Sequence, residues 1–417
     1  MTRKRLRDDC FALPPGVDWT PVDEALARLR AALSRVTADE EVPLASAAGR
    51  ILARPVIAKR DNPPAANAAV DGYAFAWDAL CGADEARLPL AEGRAAAGRP
   101  FGGTVPAGYA LRILTGAEVP AGTDTVVLQE DCEVSGNEVL IAAPRKRGAN
   151  TRAAGEDAVA GTEALPAGRR IAPQDLARIA SVGVGRVAVC ARLRVGVLST
   201  GDELIEPGAE GAGIFDANRP MLLAFLAAQG FEAVDLGRAP DRAEEVRAAL
   251  DRGADEVDAI LTTGGASDGD EDHVSKLLRA EGRIETWRIA VKPGRPLALG
   301  MWRGVPIFGL PGNPVAAFVC ALVFARPALM LMAGAGWVEP EGVMLPAAFE
   351  KRKKPGRREY LRARLDPEGR VEVFRSEGSG LIGGLSWATG LCELPDGALE
   401  VVPGLPVRFL PFAAFGT

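Results

Sequence analysis

The chain has few of the side chains that bind transition metals or move protons near neutral pH. Of its 417 residues, one is a histidine, His273. A histidine-rich zinc site is therefore excluded, and any Ser-His-Asp triad would have to use His273. Six cysteines stand at 10, 81, 132, 190, 320 and 392, and none forms a CxxC pair. That spacing offers neither a zinc knuckle nor a redox dithiol, so the thiols are expected to be reduced and mostly buried. No Gly-Lys pair occurs, which removes a Walker A loop. No run of about 18 uninterrupted apolar residues occurs, which argues against a transmembrane helix. The start, MTRKRLRDDCF, is basic but lacks the apolar segment of a signal peptide, so a cytoplasmic location is expected. An excess of one charge is missing too. With 49 basic and 55 acidic residues the net charge is −6, which does not suit non-specific nucleic-acid binding.

The length suggests two to four domains, and 48% hydrophobic residues are enough for real cores. Residues 19–36 read as an amphipathic helix, with Val22, Leu26, Leu29 and Leu33 at helical spacing. Thr20 is a plausible N-cap and Pro21 suits the first helical position. Residues 59–154 are rich in Gly, Pro and short alternating runs, as expected of an inserted β-rich domain. The flanks, 8–58 plus 155–192, then form one discontinuous unit. Residues 193–336 alternate strand and helix, which predicts an α/β domain with a mostly parallel sheet. In it, Asn218 can cap a helix over 221–229, and 314–332 reads as a long apolar helix. Residues 337–417 carry short strands between Gly and Pro, as in a small β-barrel. The fold class expected is therefore multidomain α/β plus β.

Four loops in the α/β region carry chemistry. Ser199-Thr200-Gly201-Asp202-Glu203 follows a strand, with a glycine for a tight turn and hydroxyls and carboxylates beside it. Alone, it is also an ordinary strand-end turn. TTGGASDGDEDH, residues 262–273, places Gly264 and Gly265 where the backbone can approach a ligand, with Ser267 following. Four carboxylates (Asp268, Asp270, Glu271, Asp272) come after them. An anion nest beside a hard-cation site suits phosphate and Mg²⁺, although Asp272 could equally be a helix-capping acid. Lys292-Pro293-Gly294-Arg295-Pro296 presents two cations on a stiff loop, fit for a phosphate or oxyanion. Pro311-Gly312-Asn313-Pro314 is a helix start whose end could face the same anion. No GxGxxG follows the first strand, which disfavours a dinucleotide dehydrogenase. Outside this region, KRKKPGRR at 351–358 is either a solvated turn or a site for an anionic partner.

Taken in order, VGVLSTGDEL (195–204), TTGGASDGDED (262–272), VKPGRP (291–296) and GLPGNPV (309–315) resemble the molybdopterin molybdenumtransferases, the MoeA and gephyrin E-domain family. NPPAANAAVDGYA (62–74), RILTGAEVPAGTDTVV (112–127), GANTRAAGED (148–157) and REYLR (358–362) extend the resemblance over nearly the whole chain. It implies a central molybdopterin-binding domain and an elongated homodimer. Its cleft would lie between the α/β domain of one subunit and the inserted domain of the other. The implied reaction takes adenylylated molybdopterin and molybdate, assisted by Mg²⁺, and releases AMP. The resemblance places Asp272, Glu203, Asp157 and Asp71 as catalytic acids, with Asp272 and Glu203 toward Mg²⁺. It places Thr200, Gly201, Gly264, Gly265, Ser267, Lys292, Arg295, Pro311, Asn313 and Pro314 around the substrate. Thr115 and Gly116 would come from the partner's inserted domain. A molybdopterin adenylyltransferase and molybdoenzyme apoproteins are the implied partners.

The chain departs from the family pattern in one segment. Family members usually read PPFDNSAMDGYA where this chain reads PPAANAAVDGYA. Ala65 replaces an aromatic, Ala66 an acid implicated in handling the oxyanion, and Ala68 a serine. Arg295 stands for a lysine, which keeps the charge and changes the geometry. These departures motivate a second expectation: a non-catalytic paralogue that binds the pterin or finished cofactor and delivers it.

Overall fold

The computed structural model describes residues 19–264, 273–294 and 296–416. The sequence expectations for Gly265, Ser267, Asp272 and Arg295 lie outside the described residues. The chain forms two compact units, one made of residues 41–189, the other of the remainder on either side.

In the unit 41–189, a six-stranded sheet runs in the order Thr125–Leu128, Gly72–Phe75, Ala110–Ile113, Glu85–Ala95, Glu138–Ala142, Cys132–Ser135. Alternation along Gly72–Phe75 buries Ala74 and Phe75 on opposite faces, feeding two apolar clusters. A separate cluster gathers Leu52, Val56, Ile171, Ile179 and Val189. It contains helix Pro173–Ser181, whose entry is fixed by Asp175, buried and accepting from Arg169 and from the Ala172 N–H.

The other unit is built on a six-stranded α/β sheet. Its elements are β1 (Arg194–Thr200), α1 (Asn218–Ala228), β2 (Glu232–Ala239), α2 (Ala243–Glu256), β3 (Ala259–Thr263), α3 (His273–Ala280), β4 (Arg283–Arg288), β5 (Pro296–Trp302), β6 (Val305–Leu310) and α4 (Pro314–Ala333). The strand order is β2-β1-β3-β6-β5-β4. Contacts among β2, β1, β3 and β6 are parallel, whereas β6-β5 and β5-β4 are antiparallel. The sheet is thus mostly parallel with a folded-back edge. The chain leaves central β1 for one side and later crosses to the other, which opens a crevice at the carboxyl ends of β1 and β3.

Several local expectations shift. Helix Val22–Ala32 starts after Pro21, and no side chain caps it, so Thr20 is not the N-cap. Asn218 does not cap a later helix: α1 already begins at Asn218, and its side chain turns inward. Helix α4 is continuous but carries a π segment at Ala321–Ala325. Its 20 residues have mean hydropathy 2.2, long and apolar enough for a membrane, yet 89% of the window is buried inside the protein. Within it, buried Arg326 donates through Nε to Gln229 Oε1 at 3.0 Å and to the Phe415 carbonyl at 2.8 Å.

The tail adds a second sheet, ordered Val291–Lys292, Arg358–Leu365, Gly390–Leu394, Pro406–Pro411, Val343–Pro346. Strand Gly390–Leu394 had no strong sequence signal. The short strand Val291–Lys292 pairs in parallel with Arg358 and Glu359, so the Lys-Pro-Gly loop is pinned to this sheet.

Candidate functional site

At the carboxyl ends of β1, β3 and β6 three loops converge, and glycine makes the approach possible. Gly264 has φ +88°, and a Cβ there would lie 2.5 Å from the Thr200 carbonyl oxygen. No other residue fits without moving the β1 backbone. A Cβ at Gly312 would in turn lie 3.7 Å from the Gly264 Cα, ordinary van der Waals contact. Gly201, φ +146°, takes the Glu203 carboxylate against its open face. These contacts bring Thr200, Gly201, Glu203 and Gly264 together beside Gly312, and Pro311 and Asn313 flank that glycine in the chain.

The residue that ties the loops was missed. Asn218 Nδ2 donates to Thr263 Oγ1 at 2.6 Å and to the Gly312 carbonyl at 2.7 Å. It therefore straps the end of β3 to the end of β6. Its amide reads as a helix cap in sequence, and only the fold reveals its real partners.

Around this strap several polar atoms are buried with no partner among the described residues: Ser199 Oγ, Thr200 Oγ1, Thr262 Oγ1, Asn218 Oδ1 and Asn313 Oδ1. Buried polar groups are almost always hydrogen-bonded, and leaving one unpaired costs about 1–3 kcal/mol. A cluster at strand ends marks a place built to receive a polar ligand. Asn313 holds the N-cap position with Pro314 first in the helix, but its side chain does not cap. Part of the helix start is already used, because the Val315 N–H donates to the Ser379 carbonyl at 3.3 Å.

Beside the crevice lies a cavity of about 480 Å³, lined among others by Lys292, Pro311, Asn313, Arg357, Glu377 and Ser379. Gly294, φ +103°, forms another wall, where a Cβ would sit 2.6 Å from Cys320 Sγ. Lys292 reaches the cavity but is not unopposed: its Nζ donates to Glu377 at 2.5 Å and lies 3.6 Å from Glu359. Burial works against ionisation of Glu377, yet hydrogen bonds from Lys292 and Lys351 more than offset it and hold the carboxyl below its ordinary range. Arg357, Glu377 and Ser379 escaped the reading of the α/β loops because they arrive from the tail. The basic run 351–358 was the available signal. It splits: Arg357 lines this cavity, Lys351 lines a smaller neighbour of about 230 Å³, and Arg358 pairs with Asp23 and Asp396.

A larger cavity, about 700 Å³, lies against helix Val22–Ala32. Its Arg358 and Arg408 are already paired with carboxylates, and none of the strand-end loops lines it. Size alone does not make it the reactive centre. Burial pushes the Cys320 thiol up to about 12, so the thiol nearest the loops is no nucleophile. Among the described cysteines none forms a disulfide, and Cys190, Cys320 and Cys392 are buried.

The remaining expected residues lie in the unit 41–189. Asp71 accepts from Thr115 Oγ1 at 2.6 Å and from the Thr115 N–H at 2.7 Å, which holds its carboxyl below the usual range. The Gly116 N–H donates to the Ala68 carbonyl. Asp157 accepts from Asn62 Nδ2 at 2.8 Å and is ion-paired with Arg178. Of the departures, Ala66 is exposed and Ala68 is fully buried in an apolar cluster.

Three family models match successive parts of the chain. They are the MoeA N-terminal region (domain I and II) over residues 20–183, a "probable molybdopterin binding domain" over 196–331, and the MoeA C-terminal region (domain IV) over 345–412. A protein of Haemophilus influenzae named molybdopterin molybdenumtransferase is 34% identical over 361 residues, 84% of this chain and 88% of the relative. One of Mycobacterium tuberculosis named molybdopterin molybdenumtransferase 2 is 34% identical over 395 residues, 91% of this chain and 97% of the relative. The crystal structure of a molybdopterin biosynthesis moeA protein from Pyrococcus horikoshii superposes with a TM-score of 0.83 at 27% identity. That superposition covers 94% of this chain and 100% of the other. With its three regions matched in order and its relatives similar along nearly their full length, the chain belongs to the MoeA family.

Proposed function

We propose that the protein is a molybdopterin molybdenumtransferase that takes adenylylated molybdopterin and molybdate, inserts the metal and releases AMP. One observation carries the reading: the crevice of hydroxyls and amide oxygens without partners among the described residues adjoins a cavity lined by Lys292, Arg357 and Ser379. The first suits a phosphate ester pressed against glycine backbone; the second suits a tetrahedral oxyanion. The relatives named molybdopterin molybdenumtransferase support the same substrate class.

In this reading Thr200, Gly201 and Gly264, with Gly265 and Ser267, hold the pterin phosphate and adenylyl group. Lys292, Arg295, Arg357 and Ser379 hold molybdate. The substrate's dithiolene sulfurs bind the metal, so the protein needs no Cys or His ligand. Holding the two substrates together and neutralising the charge on the linkage that breaks supply most of the rate. Among the described residues no three His, Cys, Asp or Glu side chains form a metal cluster. Mg²⁺ commonly takes one or two carboxylates and completes its shell with water and phosphate oxygens. Exposed Glu203 beside Gly201 fits that partial set, with Asp272 as its expected companion. When bound, the ion supplies charge neutralisation at the phosphate linkage. We place the protein in a cytoplasmic homodimer, with Asp71, Thr115, Gly116 and Asp157 contributed across the dimer. It would act after a molybdopterin adenylyltransferase and before molybdoenzyme apoproteins.

The test is AMP release from adenylylated molybdopterin with Mg²⁺, with and without molybdate. Molybdate-dependent release supports the reading. Retained pterin binding without release favours the second one, a cofactor carrier. Ala66 and Ala68, and the engagement of Asp157 with Arg178, are what favour that alternative.

A further inference from the structure

Two lysines and two glutamates meet between the 480 Å³ and 230 Å³ cavities. Lys292 and Lys351 each reach both Glu359 and Glu377. The four are not equivalent. The side chains of Lys292, Lys351 and Glu359 are 18%, 14% and 11% exposed, and all three residues lie on strands. Glu377 is 43% exposed and lies on a loop, lining both cavities. Its backbone is nevertheless fixed. Arg362 donates to the carbonyls of Ser376 at 2.5 Å, Gly378 at 3.1 Å and Leu381 at 2.6 Å, and stacks over Phe374. A rigid loop therefore holds a solvent-reaching carboxylate on the ammonium group that the oxyanion needs.

We propose that Glu377 is a built-in competitor for the oxyanion, whose carboxylate occupies Lys292 until molybdate replaces it. The inference rests on the placement of molybdate at Lys292 given above. On replacement, Glu377 keeps Lys351 as its partner, so the displaced carboxylate is not left uncompensated. The apparent affinity of any anion for Lys292 is then lowered by the fraction of time Lys292 is uncovered. The factor is common to all anions, so it sets a threshold of intrinsic affinity and leaves the ratio between anions unchanged. An oxyanion that also engages Arg357 and Ser379 keeps useful affinity; an anion that meets Lys292 alone does not. Glu359 cannot serve this role, since it stands opposite Lys292 in a strand ladder and is nearly enclosed.

Isothermal titration calorimetry of the full chain with sodium molybdate and, separately, sodium sulfate tests this. Wild type, Glu377→Gln and Glu377→Ala are compared, with thermal melts to verify folding. Removing the carboxylate should tighten binding of both anions about 10-fold, corresponding to a Lys292 uncovered about one-tenth of the time. In the AMP-release assay the molybdate KM should fall without a rise in kcat. Unchanged or weaker anion binding in both folded variants overturns the proposal and leaves the transferase reading standing. If none of the three binds molybdate, the proposal falls as well, and AMP release that ignores molybdate then overturns the transferase reading with it. Should Glu377→Gln fail to fold, Glu377→Ala carries the same comparison.

Discussion

In the unit that carries the α/β sheet, the candidate site consists of strand-end backbone and buried polar atoms without partners among the described residues. In the unit 41–189, the candidate acids already have partners: Asp71 has Thr115, and Asp157 has Asn62 and Arg178. The first arrangement keeps hydrogen-bonding capacity in reserve for a ligand. The second makes any ligand compete with bonds inside the protein. An unsatisfied buried group and a satisfied exposed one thus give different expectations for the same kind of residue, even where sequence motifs treat them alike.

The comparison breaks first at Gly264. Gly264→Ala puts a Cβ against the Thr200 carbonyl at positive φ. The strain is about 1–3 kcal/mol in stability, and displacement of both loops should lower AMP release at least ~100-fold. Near-normal turnover in this variant would show that the crevice is not the site. Next is Asn218→Ala, which strips the donor from Thr263 Oγ1 and the Gly312 carbonyl. Denaturant unfolding should show a loss of about 1–3 kcal/mol, and pterin binding should weaken more than molybdate binding.

The acid limb of stability is a smaller effect. The Glu377 carboxyl sits below its ordinary value of 4.5 in the folded protein. A depressed carboxyl contributes stability that is fully present above about pH 4.5 and is lost as pH falls through the folded value. Tm measured downward from pH 5 should therefore fall more steeply in wild type than in Glu377→Gln. Parallel curves would remove Glu377 from the acid response. The smallest effect sharpens the comparison from the other unit. Because Ala66 is exposed, Ala66→Asp should change stability by no more than about 0.5 kcal/mol. A several-fold gain in kcat would mean that the missing acid limits turnover, whereas an unchanged rate would mean that another carboxylate serves. Ala68→Ser is the control, since it puts a hydroxyl into an apolar cluster and should cost stability instead.

Much of the α/β core was legible because glycine and proline mark strand ends and the apolar runs β1, β3 and β6 are buried on both faces. The gathering of Thr200, Gly201, Gly264 and Asn313 followed from that topology. What could not be read was anything fixed by distant chain. Asn218 looks like a cap until the fold supplies Thr263 and Gly312. The tail residues Arg357, Glu377 and Ser379 reach the cavity only because Val291–Lys292 joins the tail's sheet, a two-residue strand too short to leave a periodic signal. Strand β5 leaves no alternation signal for a related reason: it pairs antiparallel with β6 and with the edge strand β4, outside the strand–helix alternation.

The buried Arg326 has a consequence for synthesis. Its guanidinium and the Gln229 amide both donate to the Phe415 carbonyl. A ribosome delivers the α4 guanidinium almost ninety residues before that acceptor, as the separation of 89 positions shows. The unit 41–189 is one uninterrupted stretch and can close while translation continues. The unit around α4 completes this contact only once Phe415 has been made.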